Sequence, residues 1–314
     1  MFLVVVVKMI EEKVSILERY GENLTAKEYI VDPAIGRDQE IKEAMRIMLL
    51  ADKSVLLVGK PGIGKTAIVE GIAYRIKTKQ CPMVLQNKQI IKITISSLTG
   101  SLNSGGQTEM RVDMLVKELA EKPDVVVFLD ETHLLVNPEG GMDAANMLKT
   151  GLDRGTIKII GATTSDEYET YILRDRAFLR RFEVVNIAEA DQDTVVKILM
   201  GTLPKLEKRS GARVPYQPFI TEKIMRFIVE MTSEFKRVYG ISSRYPDICI
   251  TLVNDALSHA VYHNSQSCTL KYFYMAICNC KSIYEDAKLK EIERFKVVFK
   301  DMIASEGVNL NETY

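Results

Sequence analysis

The segment Ser54-Val55-Leu56-Leu57-Val58-Gly59-Lys60-Pro61-Gly62-Ile63-Gly64-Lys65-Thr66 decides how this chain reads. It opens with an apolar run of strand length, and the residues after it, Ala67-Ile68-Val69-Glu70-Gly71-Ile72-Ala73, carry a helix-like pattern. A buried strand turning through glycines into a helix gathers backbone N–H groups and a helix N-terminus around one point, where phosphate oxygens can be held. The spacing therefore predicts a nucleoside triphosphate, cradled by Pro61, Gly62, Ile63, Gly64 and Ala67. Lys65 is expected to reach the β- and γ-phosphates, and the Thr66 hydroxyl to ligate Mg²⁺.

Working outward, strand-like apolar runs recur at Val55–Val58, Ile91–Ile95, Val125–Leu129, Ile157–Ala162 and Val184–Ile187. Helical stretches such as Met110–Glu121 and Ala144–Leu152 separate them. Short Val/Ile/Leu runs alternating with helices mean strands buried on both faces, hence a doubly wound, parallel, five-stranded α/β sheet. The strand Val125-Val126-Val127-Phe128-Leu129 ends in Asp130-Glu131. Ligands bind outside the carboxyl ends of such strands, so these acids are expected to share a crevice with Lys65. Asp130 would hold Mg²⁺ and Glu131 would polarise the attacking water.

Beyond Ala190 helical periodicity takes over at Thr194–Leu203, Thr221–Thr232 and Ile248–Tyr262, with Pro204, Pro215, Pro218 and Gly240 read as loops or helix ends. The expected organisation is a lead-in over 1–30 and a large α/β nucleotide-binding domain over 31–190. A smaller α-helical lid domain over 191–280 follows, then a helical extension and polar tail over 281–314.

A chain of 314 residues that is 46% hydrophobic and 27% charged can bury a full core. Its 42 basic residues balance 42 acidic ones, so no global field draws it to nucleic acid or to an anionic membrane, and neither partner is expected. Its five cysteines lack paired metal-ligand spacing, which points to reduced thiols in the cytoplasm or another reducing compartment. The opening Met1-Phe2-Leu3-Val4-Val5-Val6-Val7 is too short for a membrane span and lacks the basic flank of a secretion signal. His259 and His263 could share a helix face, but with no third ligand apparent they read as packing or surface residues.

Taken together these residues resemble the AAA+ ATPases, and more narrowly the first nucleotide-binding module of the Clp class of protein-remodelling chaperones. The resemblance runs from Leu17 to about Ala256. It includes Asp32-Pro33-Ala34-Ile35-Gly36-Arg37, Asp130-Glu131-Thr132-His133, Met142-Asp143-Ala144-Ala145-Asn146-Met147-Leu148-Lys149 and Ile160-Gly161-Ala162-Thr163-Thr164-Ser165-Asp166-Glu167-Tyr168. It implies ATP/ADP with Mg²⁺, with Ile35 and Gly36 against the adenine and Thr164 sensing the γ-phosphate. It also implies that the arginines of Ala177-Phe178-Leu179-Arg180-Arg181-Phe182 reach the nucleotide of an adjacent subunit. Assembly with itself, as a hexameric ring acting on a protein substrate or partner, is the corresponding expectation.

The pattern departs from the family in places. Asn103-Ser104-Gly105 occupies the position of a pore-loop aromatic, and Ser104 has no ring to grip a polypeptide. Arg244-Tyr245-Pro246-Asp247-Ile248 is similar to the lid motif, with Asp247 starting a helix at the nucleotide and Ile248 where a lysine is usual. The leading expectation is an ATP hydrolase coupled to protein remodelling or unfolding. The alternative is an ATP-dependent assembly switch or scaffold that does not thread substrate. A DNA-replication clamp loader or initiator is a more distant third, disfavoured by the balanced charge. The sequence reads as one excised module or a stripped-down relative, and no loop for docking a peptidase is recognisable.

Overall fold

The computed structural model describes residues 15–99, 105–136, 148–149, 151–152, 155–239, 244–307 and 310. The expectations placed on Met1–Val7, on Ser104, on Met142–Met147 and on the last four residues fall outside them. The chain forms two compact units. The first comprises Met1–Tyr29, Arg37–Lys60 and Lys65–Ile187; the second comprises Ile30–Gly36, Pro61–Gly64 and Ala188–Tyr314.

The first unit is built on six strands: β1 (Gly21–Asn23), β2 (Ser54–Val58), β3 (Gln89–Thr94), β4 (Val125–Asp130), β5 (Lys158–Thr163) and β6 (Phe182–Asn186), ordered β1-β3-β4-β5-β2-β6. Five of them run parallel, as the apolar runs require, and every residue of β2 is buried. One face rests on helix Gly105–Glu121 through Ile91, Ile93, Val127 and Leu129, which cluster with Val112, Leu115 and Leu119.

The expectation of five strands needs correction, because β1 adds a sixth, antiparallel to β3, from within the stretch read as a lead-in. Gly21 allows it: a Cβ there would lie 2.3 Å from the Leu17 carbonyl oxygen and 2.5 Å from Ile91 Cγ2. The preceding helix, Ile16–Tyr20, is held by Glu118, whose carboxylate accepts from the Ser15 hydroxyl and from the N–H groups of Ile16 (2.9 Å) and Leu17 (3.3 Å). Burial alone would raise the Glu118 pKa, but these bonds and Lys122 carry it below its ordinary value.

The second unit is helical: Gln192–Ser210, Pro218–Met231, Asp247–Tyr262, Leu270–Asn279, Glu285–Val298 and Lys300–Ser305 surround one core containing Leu199, Ile228, Leu257 and Phe273. The Asp191 carboxylate caps the first of these by accepting from Thr194 N–H (2.8 Å), and Gly211 ends it in the left-handed conformation (φ 86°). Pro204, read as a helix end, instead lies inside that helix. An interior proline costs about 3 kcal/mol; burying Leu203 and Leu206 on either side of it in the core offsets this. The region read as an extension also packs inward, with Phe295 and Phe299 fully buried against Phe227. No helix among the described residues is long and apolar enough to cross a membrane.

Candidate functional site

The functional side chains gather at the carboxyl ends of the parallel strands. After β2 the chain turns through Gly59 to Gly64 and enters helix Lys65–Lys77. Gly62 (φ 73°) and Gly64 (φ 101°) adopt left-handed backbone that a side chain would strain. The Gly59 N–H donates to the Thr163 carbonyl (3.4 Å), tying the loop's start to the tip of β5. Lys65 folds back so that its ammonium donates to the carbonyls of Gly59 (2.7 Å) and Lys60 (3.2 Å). Burial holds its pKa below the usual lysine range, against the opposing pull of Asp130 and Glu167.

Thr66 lies beside the end of β4: its hydroxyl donates to Asp130 Oδ2 at 3.3 Å. A hydroxyl and a carboxylate, both half-buried, form an all-oxygen donor pair suited to a hard divalent cation such as Mg²⁺. Glu131 follows in left-handed backbone (φ 56°, ψ 42°), a conformation that costs a non-glycine residue roughly 1–2 kcal/mol. Its N–H donates to Asp130 Oδ1 (3.1 Å), and the kink takes the exposed Glu131 out of the line of the strand.

Contacts among residues of the neighbouring strand ends fix this geometry. The buried Thr132 hydroxyl donates to the Leu129 carbonyl (2.9 Å) and accepts from the Ala162 N–H (3.0 Å), riveting β4 to β5. Only glycine at 161 leaves room, since a Cβ there would meet Thr132 Oγ1 at 2.7 Å. His133 Nδ1 lies 3.1 Å from Glu167 Oε2 and 3.4 Å from Thr163 Oγ1. Thr164 and Glu167 form a reciprocal capping box: the Thr164 hydroxyl accepts from Glu167 N–H (3.2 Å), and Glu167 accepts from Thr164 N–H (3.0 Å). Burial pushes the Glu167 pKa upward; bonds from Thr164, with His133 and Thr163, outweigh it and carry the pKa below its ordinary value. The Thr-x-x-Glu spacing was the available signal for this box.

The remaining candidate residues divide between the units. Within the second unit, Ile35 packs against helix Gln192–Ser210 at Gly201, where a Cβ would lie 2.0 Å from Ile35 Cδ1. Gly36 (φ 74°) abuts Thr194, and Gly62 abuts Asp247, the first residue of helix Asp247–Tyr262. Ile63 is buried, Pro61 is exposed, and Ala67 is half-buried in the first turn of its helix.

Arg180 and Arg181 are not brought to this edge. The Ser54 N–H donates to the Arg181 carbonyl (2.9 Å) and Lys53 Nζ to the Arg180 carbonyl (2.5 Å), at the amino end of β2. The length of β2, about 13 Å at 3.3 Å per residue, separates them from the start of the phosphate loop. Arg180 is exposed, whereas Arg181 is only 6% exposed.

Comparison with known proteins agrees with this geometry. Residues 55–186 match the ATPase family associated with various cellular activities (AAA). The chain is 40% identical over 252 residues to the chaperone protein ClpB of Aquifex aeolicus, covering 78% of this chain and 24% of that one. It is 37% identical over 253 residues to ClpB of Helicobacter hepaticus, covering 78% and 28%. Among solved structures, the extended Saccharomyces cerevisiae Hsp104:casein complex matches with a TM-score of 0.69 and 34% identity, over 81% of this chain and 43% of that one. The closed state of Hsp104 with ATPγS and FITC casein matches at 0.75 and 31%, over 92% and 49%. The chain thus spans about a quarter of the length of these ClpB relatives. With a parallel sheet, a phosphate loop and paired strand-end acids in this arrangement, residues 55–186 form an AAA ATPase domain, and the chain around it is similar to the Clp-class proteins ClpB and Hsp104.

Proposed function

We propose that this chain binds Mg²⁺-ATP at the carboxyl edge of its sheet and hydrolyses it, and that assembly into a ring, expected to be hexameric, couples hydrolysis to the remodelling of protein substrates. The observation that carries this reading is the 3.3 Å approach of Thr66 to Asp130 directly beside the Lys65 ammonium. In this reading the Lys65 ammonium exchanges its carbonyl partners for phosphate oxygens, while the N–H groups opening helix Lys65–Lys77 face the same charge. Thr66 and Asp130 would hold Mg²⁺, which when bound neutralises charge on the phosphates. Glu131 would orient water, and Thr164, held by its capping box with Glu167, would sense the γ-phosphate.

Arg180 and Arg181 stand at the far end of β2, so their contribution to hydrolysis would come in trans, with exposed Arg180 as the leading group. Ile35 and Gly36 would border the adenine, and Asp247 the loop at Gly62. The likeness to casein-bound Hsp104 favours remodelling over a switch that threads nothing. Five unpaired thiols suit a reducing compartment. The test is phosphate release by the full chain across a range of protein concentrations, with and without casein. Turnover that rises with concentration and with casein supports the motor; nucleotide-driven assembly that casein leaves unstimulated removes remodelling from the proposal.

A further inference from the structure

We infer that Lys92 is a cation built into the chain that competes with, and partly stands in for, the divalent ion at Asp130, and so sets how much Mg²⁺ the nucleotide site demands. This rests on the ATP-binding reading above and concerns the metal requirement of that site. Lys92 interrupts the otherwise apolar Ile90-Ile91-Lys92-Ile93 of β3. The parallel register sets Lys92 opposite Phe128 and Thr94 opposite Asp130, so these four residues share one face of the sheet. The Lys92 ammonium lies 5.7 Å from the centre of the Phe128 ring and reaches Asp130 Oδ2 at 3.8 Å. That oxygen is the one that also accepts from Thr66.

A second carboxylate is on offer, because antiparallel pairing puts Glu22 directly opposite Lys92. Glu22 is instead paired with Lys27 at 3.1 Å, while Lys92 leans towards Asp130. The two partners are only about a quarter exposed, 27% and 29%, so solvent screens the interaction incompletely.

Two consequences follow from like and unlike charge at this spacing. A divalent ion arriving at Asp130 and Thr66 meets a positive charge already in place, so more Mg²⁺ is needed to load the site. When no metal is present the ammonium offsets the Asp130 charge, which would otherwise repel the phosphates, so nucleotide still binds. Lys92 thereby narrows the gap between metal-free and metal-loaded affinity.

The experiment measures ADP affinity of the full chain by calorimetry, in EDTA and across a Mg²⁺ titration, for the parent, Lys92→Met and Lys92→Arg. Lys92→Met should lower the Mg²⁺ concentration at half-effect by about three- to tenfold and weaken metal-free binding by a similar factor, the size expected of one partly screened charge pair. Lys92→Arg should restore parental behaviour, and Lys92→Gln supplies the same charge loss should the methionine variant not fold. In an Asp130→Asn background the Lys92→Met effect should vanish. Mg²⁺ dependence unchanged within twofold in Lys92→Met, or an effect that persists in Asp130→Asn, overturns the inference. A parent that binds no ADP with or without Mg²⁺ refutes the nucleotide reading itself, and this inference with it.

Discussion

The two ends of β2 are built for different circumstances. At its carboxyl end Lys65, Thr66, Asp130 and Glu131 converge, each held by bonds within the same unit. At its amino end Arg180 and Arg181 hang on backbone contacts to Lys53 and Ser54, a strand's length from any of those groups. In the proposed reading the first end lies within one chain, while the second would serve another copy. On the proposed function, the contrast would separate nucleotide binding by a single subunit from the faster hydrolysis that an assembly would add.

The hardest blow to that contrast comes from Arg180→Ala. If the amino end serves a neighbour, turnover in the assembled state should fall about 10³-fold or more with nucleotide affinity intact. Normal phosphate release from assembled Arg180→Ala would end the in-trans assignment. Next is Glu131→Gln, expected to lower turnover about 10²- to 10⁴-fold while binding persists, the range lost with a general base; equal rates in parent and variant would clear Glu131 of its role. Lys65→Ala should weaken ATP-analogue binding by about 10- to 10²-fold, corresponding to the roughly 1.5–3 kcal/mol of a charge-assisted hydrogen bond. Calorimetry showing undiminished affinity would move the phosphate site elsewhere.

The smallest effect concerns the capping box beside the carboxyl end. The folded pKa of Glu167 lies below its ordinary value of 4.5. Its contribution is therefore present above that value and is lost as pH falls through the folded pKa. Melting temperature should drop on acidification below about pH 4.5, and Glu167→Gln should flatten that acid limb. Because the group is partly exposed, the difference should be only a few tenths of a kcal/mol. Parallel acid limbs in parent and variant would show that the box does not titrate as described.

Legibility in the sequence followed burial. β2 and β4 could be read because strands covered on both faces must be continuously apolar, and the loop could be read because its glycines serve φ values that other residues avoid. Gly21–Asn23 left no such trace: three residues without an apolar side chain form a strand only because β3 offers its edge and Glu118 fixes the chain just before it. Pro204 misled because local propensity was overruled by the core around Leu203 and Leu206. At the site, Lys65, Thr66 and Asp130 were visible from spacing. The couple of His133 and Glu167, and the lean of Lys92 towards Asp130, depend on which strands are neighbours, and no linear pattern states that.

The edge strand has a practical consequence. β1 satisfies the outer backbone groups of β3: Asn23 pairs with Ile91, Leu24 N–H donates to the Ile90 carbonyl (2.8 Å), and the Thr25 hydroxyl accepts from Ile90 N–H (2.9 Å). A shortened chain that begins at residue 30, or one trimmed to the AAA match at 55–186, would leave Ile90 to Ile93 as a bare row of amides and carbonyls. Such a row invites pairing with the same row on another molecule. Poor behaviour of a trimmed protein would then report a sticky sheet border rather than a failure of nucleotide chemistry.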